Sequence, residues 1–223
     1  MQSAIKKIGI VVGFITILVP LLSYRKTCRR SRGRKSSPES SPITWTQMLA
    51  ATILYLGGGI ALWRPLPLLM SKGKRLFTML VGCGLYFPGV SLYLWGHHYL
   101  GEQFNPSSTS GASLFQDHRL ITSGPYRWVR HPMYLGVLLA AEGALLIYQT
   151  WAMVIYALSS LVVILRARKE EELLAEEFGE EWKRYQGQVP GWLPQPGKFI
   201  AVLRALGNQR FVRQRNTQPQ EDR

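Results

Sequence analysis

The chain has 223 residues, with 27 Lys plus Arg against 13 Asp plus Glu, a formal net charge of +14 and 47% apolar residues. Charge-free stretches of 17 residues between Lys7 and Arg25, 24 between Glu39 and Arg64, 26 between Arg75 and Glu102, and 23 from Gly143 to Leu165 divide it. About 20 apolar residues suffice to cross a bilayer, and soluble helices seldom run so far without a charge, so a single soluble globule is excluded.

The basic residues cluster at the ends of the apolar segments and no groove-reading motif is visible. The charge is therefore assigned to membrane topology and anionic lipid head groups, not to nucleic acid. Cys28 and Cys83 sit in unlike contexts and form neither a disulfide framework nor a metal site.

In chain order, a first transmembrane helix is predicted within residues 1–23, its apolar run starting near residue 5. Lys6 and Lys7 precede that run as in a signal peptide, but no small-residue cleavage site follows and the segment reads as a retained span. Residues 24–43 form a linker with seven basic residues between Arg25 and Lys35. Such a composition predicts disorder, and the basic load predicts a cytoplasmic side. Spans are expected over 44–63 and 76–95. The turn between them carries Arg64, Lys72, Lys74 and Arg75 on the opposite side, against the charge rule.

A long loop, 96–130, contains the turn signals Asn105-Pro106 and Ser123-Gly124-Pro125. A hairpin of two spans over 132–149 and 151–168 follows, with Gln149-Thr150 at its turn, and continues into an acidic cytoplasmic helix. The core unit is placed at 44–197 and a basic tail at 198–223, in which Lys198-Phe199-Ile200-Ala201-Val202-Leu203-Arg204 suits a membrane surface. The expected fold is all-α, an integral membrane bundle of about five transmembrane helices with a C-terminal cytoplasmic helix.

Chemistry concentrates in two places. The first is Gly124-Pro125-Tyr126-Arg127-Trp128-Val129-Arg130-His131-Pro132-Met133-Tyr134-Leu135-Gly136. Proline favours the first helical turn, so Pro132 opens the fourth span with Arg130 and His131 just before it. Free N–H groups and the positive dipole end attract an anion there, and Arg130 adds a bidentate donor. Gly136 permits close approach of another backbone or a ligand. The second place is Arg166-Ala167-Arg168-Lys169-Glu170-Glu171-Glu172. About 18 residues back from the hairpin turn reach His131, and about as many forward reach Lys169, so His131 and Glu170, Glu171 or Glu172 should meet at one depth. A carboxylate cluster facing a cationic helix start suits a zwitterionic ligand or one with a positively charged centre.

Glu142 falls near mid-membrane, where an ionisable group is a functional hypothesis by default or else a protonated or paired one. His97 and His98 are remote from any acidic pair, and no metal site is expected.

Together these motifs resemble the isoprenylcysteine carboxyl methyltransferase family, including its bacterial members and the related phospholipid methyltransferases. The matching residues are Gly124-Pro125-Tyr126, Arg130-His131-Pro132 with Tyr134 and Gly136, the stretch from Arg168 to Glu172, and Phe178-Gly179-Glu180-Glu181-Trp182 with Tyr185. Val189-Pro190 and Leu193-Pro194 complete the pattern. The resemblance spans roughly residues 115–195.

It implies an S-adenosylmethionine-dependent methyltransferase without the soluble Rossmann fold, its cofactor region at 120–195 and its lipophilic acceptor entering from the bilayer. His131, Pro132, Tyr134, Gly136, Glu171 and Glu172 become cofactor-binding candidates, and Arg130 and Arg168 candidates for orienting the acceptor or the cofactor carboxylate. Glu142 and Tyr126 are candidate acceptor contacts. A carboxylate acceptor would need no general base, whereas an amine or phenol would, with Glu171, Glu172 or His131 available. Phospholipid or lipid-amine N-methylation, and a non-catalytic scaffold that keeps the fold, are the alternatives. A nicotinamide-dependent sterol reductase shares the Arg-His-x-x-Tyr-x-Gly element but should be longer. The resemblance places the chain in a bacterial cytoplasmic membrane, with cofactor site and C-terminus cytoplasmic.

Overall fold

A computed structural model describes residues 2–27, 32–36, 44–104, 113–115 and 119–194. Helix α1 spans Gln2–Thr27, α2 Trp45–Ala61, α3 Lys72–Leu100, α4 Pro132–Tyr148, α5 Trp151–Ser160, α6 Val162–Phe178 and α7 Glu180–Gln188. Strands β1 (Arg32–Ser36) and β2 (Ser113–Phe115) form a small antiparallel ribbon. Residues 24–27 of the expected linker extend α1 and residues 32–36 form β1. The other linker positions and the tail at 198–223, with its amphipathic segment, lie outside the described residues.

The five-span expectation is overturned. Among the described residues three helices are long and apolar enough to cross a membrane: Gln2–Arg25, Lys72–Gln103, and Trp151–Phe178, in which α5 and α6 run together. Helix α4 is apolar but has 17 residues, and α2 also has 17. At about 1.5 Å per residue each is roughly 25 Å long, short of a hydrocarbon core of about 30 Å. Charge-free length overstates helix length here, because both segments hand residues to caps and turns. Thr44 caps α2 in a reciprocal box with Gln47, and residues 62–66 leave the helix to pair with the α4–α5 turn. Leu66 N–H donates to Gln149 O (2.8 Å), while Trp151 and Ala152 N–H donate to Arg64 and Leu62 carbonyls (3.0 and 3.1 Å), so α5's first donors are satisfied.

Helices α3 and α4 pack antiparallel through paired glycines. Gly82 faces Gly143 and Gly89 faces Gly136, seven residues apart on each helix. A Cβ on Gly82 would lie 2.8 Å from Gly143 O, and one on Gly136 would lie 2.7 Å from Gly89 O. Backbones this close exclude any side chain, as small-residue interfaces in membranes do. Around the seam, Met79, Tyr86, Val90, Ala144, Ile147, Tyr148, Ala152 and Met153 form the main core. A second cluster, Leu173, Leu174, Trp182, Tyr185 and Val189, seats α7 against α6. The two helices join at Gly179, whose φ of 50° is open to a residue without Cβ.

Candidate functional site

Pro132, fully buried, starts α4, and the residues before it are held by the chain's return from α7. Arg130 N–H donates to Pro190 O (2.9 Å) and His131 N–H to Gly191 O (3.1 Å), so the entry to α4 and the segment after α7 run side by side. His131 supplies no capping side chain, and the first-turn N–H groups of Met133 and Tyr134 have no partner within the helix.

The side chains form two linked clusters. In the first, Glu171 Oε1 accepts from Arg130 Nε (2.9 Å) and lies 2.9 Å from Arg130 Nη2 and 2.8 Å from His131 Nε2. Arg130 Nη1 donates to the carbonyls of Val189 (2.6 Å) and Gln186 (3.2 Å), and its guanidinium lies 5.9 Å from the Trp182 ring centroid. Arg130 thus ties α4, α6 and the segment after α7 into one unit. In the second cluster Tyr134 Oη donates to Glu170 Oε2 (2.7 Å) and accepts from Arg166 Nε (3.0 Å). The ring of Tyr134 stacks on His131 at 5.6 Å, and the Trp192 ring lies tilted against His131 at 5.4 Å. Below, Tyr185 Oη donates to Tyr126 O (2.7 Å); burial pushes both phenols above the usual tyrosine range.

The structure thus brings Arg130, His131, Tyr134 and Glu171 together. Arg168 and Glu172, four residues apart on α6, are exposed on another face. Glu142 is exposed on α4. Gly136 faces the α3 backbone, with Tyr93 N also 2.7 Å from its notional Cβ, and Tyr126 is buried beneath α7. Among the described residues no group of three His, Cys, Asp or Glu could hold a metal.

Trp192 and the carbonyls of residues 186–191 were not singled out in the sequence, and Arg166, which opens the second motif, was given no role there. The face of α6 could have identified Arg166: buried Ala167 and Leu174 with Glu170 and Glu171 follow the i, i+3, i+4, i+7 helical pattern, and Arg166 adjoins Glu170 at i+4. The backbone contributions carry no side-chain signature.

Beyond the Tyr134–Arg166 pair an apolar cavity of about 640 Å³ extends along α4, bounded also by α1, α2, α3 and the α5–α6 helix. Val137 and Val163 line its near end. Each is three residues, about one helical turn, from Tyr134 and Arg166 respectively.

The profile of the phospholipid methyltransferase family matches residues 77–181. The chain is 36% identical over 96 residues to protein-S-isoprenylcysteine O-methyltransferase of Mus musculus, covering 42% of this chain and 33% of that protein. It is 28% identical over 184 residues to the protein of that name from Schizosaccharomyces pombe, covering 70% and 74%. A solved structure of a eukaryotic intramembrane Ras methyltransferase, isoprenylcysteine carboxyl methyltransferase, superposes with a TM-score of 0.55 at 18% identity, covering 86% of this chain and 67% of that one. The chain spans about a third of the length of the mouse and rat relatives. These likenesses establish family-level similarity to the isoprenylcysteine and phospholipid methyltransferases, and the structural one shows a shared fold.

Proposed function

We propose that this chain is an integral membrane methyltransferase that uses S-adenosylmethionine and a lipophilic acceptor, with an isoprenylcysteine-type carboxylate as the preferred acceptor chemistry. The observation that carries this reading is the joining of the α4 start to a carboxylate pair on α6, directly below an apolar cavity. The donor set fits the cofactor: orphan first-turn N–H groups suit its carboxylate, Glu170 and Glu171 its ammonium and hydroxyls, and the His131 and Trp192 rings its adenine. When bound, S-adenosylmethionine would supply an electrophilic methyl group on a positively charged sulfur to the acceptor's nucleophile.

The chain's own part is positioning and exclusion of water. Arg130, saturated by Glu171 and two carbonyls, acts by holding the site's walls in register. Arg166, oriented by Tyr134 at the cavity's near end, is the arginine placed to hold an acceptor carboxylate. Such an acceptor is already ionised and gives up no proton, so no base is required; an amine would call on Glu170 or Glu171. The site is read as facing the cytoplasm, where the cofactor is made, in a bacterial inner membrane.

The test is transfer of tritiated methyl from S-adenosylmethionine by the purified protein in nanodiscs. S-farnesylcysteine labelled at its carboxylate supports the reading. Labelling of phosphatidylethanolamine alone would favour lipid-amine N-methylation, and labelling of neither would remove it.

A further inference from the structure

The end of the bundle away from the Arg130–Glu171 site is built around the α4–α5 turn. The 17 residues of α4 separate the two ends by roughly 25 Å at 1.5 Å per residue. Three other parts of the chain are tied to that turn. Two tyrosines pin the start of α1: Tyr148 Oη donates to Lys6 O (2.9 Å) and Tyr86 Oη to Gly9 O (2.7 Å). Trp151 N–H, donating to Arg64 O, holds the segment after α2. Gln149 Nε2 donates to Thr78 Oγ1 (3.1 Å), and Thr78 Oγ1 donates to Arg75 O (3.1 Å), which holds the first turns of α3.

Each of these three parts carries a cation at the turn. Lys6, Arg64 and Arg75 stand around it, with Lys7, Lys72 and Lys74 beside them. Lys6 is half-buried and near enough to Arg75 for the two charges to repel; the other five are exposed. Among the described residues none of these six side chains has an ion pair or a hydrogen bond. The acids lie elsewhere. Among the described residues Glu142 is seven residues before Gln149, about 10 Å along α4, Glu102 follows α3, and the others belong to α6 and α7. Like charges without a counter-charge raise the energy of this end and attract an anion. The same end also exposes apolar surface: Trp63 and Trp151, and Leu68, Leu69 and Met70 in the stretch between Arg64 and Lys72. Tryptophan at a helix end marks the head-group level of a bilayer, and apolar side chains flanked by cations suit the boundary between head groups and acyl chains. A soluble anion would leave that surface unused, whereas a phospholipid covers both parts.

We propose that this end of the bundle binds an anionic phospholipid, its phosphodiester held by Lys6, Arg64 and Arg75 and its glycerol and upper acyl chains lying against Trp63 and the 68–70 stretch. Two arginines give the phosphate oxygens planar, forked donors, and Lys6 adds a point charge. The bound phosphate supplies the counter-charge that the chain lacks, and so fastens α1 and the α2–α3 segment to the α4–α5 turn. It gives the cations of that segment a use on the side where the positive-inside rule does not call for them. The site is independent of methyl transfer.

The test is the thermal transition of the full-length protein in uncharged detergent at about 0.15 M salt, titrated with dioleoyl phosphatidylglycerol or dioleoyl phosphatidylcholine. Phosphatidylglycerol should raise the midpoint saturably by about 3 °C or more, and phosphatidylcholine should not. Arg64→Gln/Arg75→Gln, compared with its own lipid-free midpoint, should need about tenfold more phosphatidylglycerol for half the rise. Arg64→Lys/Arg75→Lys should recover most of that loss. Arg119→Gln/Arg127→Gln, which removes two exposed charges from the opposite end, should respond as the parent does. If the glutamine pair does not fold, Lys6→Gln is the single-site form of the same test, with the same direction expected. Equal responses to the two lipids would overturn the proposal, as would a phosphatidylglycerol response that survives unchanged in the folded glutamine variants. So would an equal rise with soluble glycerol 3-phosphate, because the site would then read a free phosphate and the apolar stretch would have no part in it.

Discussion

His131 Nε2 lies 2.8 Å from Glu171 Oε1 across 40 residues of chain, and the same oxygen receives the guanidinium of Arg130. One carboxylate oxygen thus joins the start of α4 to α6, and through Arg130 to the Gln186 carbonyl of α7 and the Val189 carbonyl just after it. The side chains of Arg130 and His131 are 12% and 5% exposed, so loss of the shared acceptor leaves two buried donors in need of a new one.

Glu171→Gln keeps the shape and removes the charge. It should lower stability by about 1–3 kcal/mol, because the amide oxygen still accepts but its bonds are no longer charge-assisted and Arg130 loses its counter-charge. Thermal unfolding in detergent measures this, and the downward shift should exceed that of Glu172→Gln, whose side chain is exposed.

The glycine seam between α3 and α4 makes a separate claim. Gly143→Leu should force the helices apart, because Gly82 O and the backbone at Tyr86 occupy the space, whereas Gly84→Leu should be tolerated, having nothing within 4 Å of its notional Cβ. Overpacking typically costs about 1–3 kcal/mol, and the two variants should separate clearly in their unfolding temperatures.

Tyr185 provides a pH prediction. Burial, aided by the nearby Glu171 charge and opposed by Arg130, holds its phenol above the usual range, and the neutral form donates to Tyr126 O. The folded state then keeps a proton that the unfolded chain releases near pH 10. Its stabilisation is complete below about pH 10 and declines as pH rises toward the higher folded value. Tyr185→Phe should therefore be less stable at pH 7 by about 1 kcal/mol, and the gap to the parent should narrow above pH 10.

Loss of both tyrosine pins, in Tyr86→Phe/Tyr148→Phe, should free α1 without unfolding the α3–α4 seam. Hydrogen exchange should rise in α1 around residues 6–13 and stay unchanged around Gly136 and Gly143. Equal exchange in parent and variant would mean that packing alone holds α1.

The depth at which His131 meets α6 was legible in the sequence, because two helices leaving one tight turn rise equally per residue. Which α6 residues face inward was less so. Among consecutive charges the helical phase chooses Arg166, Glu170 and Glu171 and leaves Arg168 and Glu172 outside, and that phase is set by Ala167, Leu173 and Leu174. The number of spans was misread because charge-free length counts cap and turn residues as helix. Nor does any sequence pattern announce that the carbonyls at 186–191 return to α4, since backbone groups are the same at every residue. The Gly82, Gly89, Gly136 and Gly143 spacing was present but needed the antiparallel partner to become meaningful.

The most direct test is calorimetric titration of S-adenosylhomocysteine into the full-length protein in detergent, beside His131→Ala and Glu171→Gln. The parent should bind at one site, and both variants, still folded, should bind at least about tenfold more weakly, a difference of about 1.4 kcal/mol. A folded parent that takes up no S-adenosylhomocysteine, or variants that bind as tightly as the parent, would contradict the assignment of this site to the cofactor.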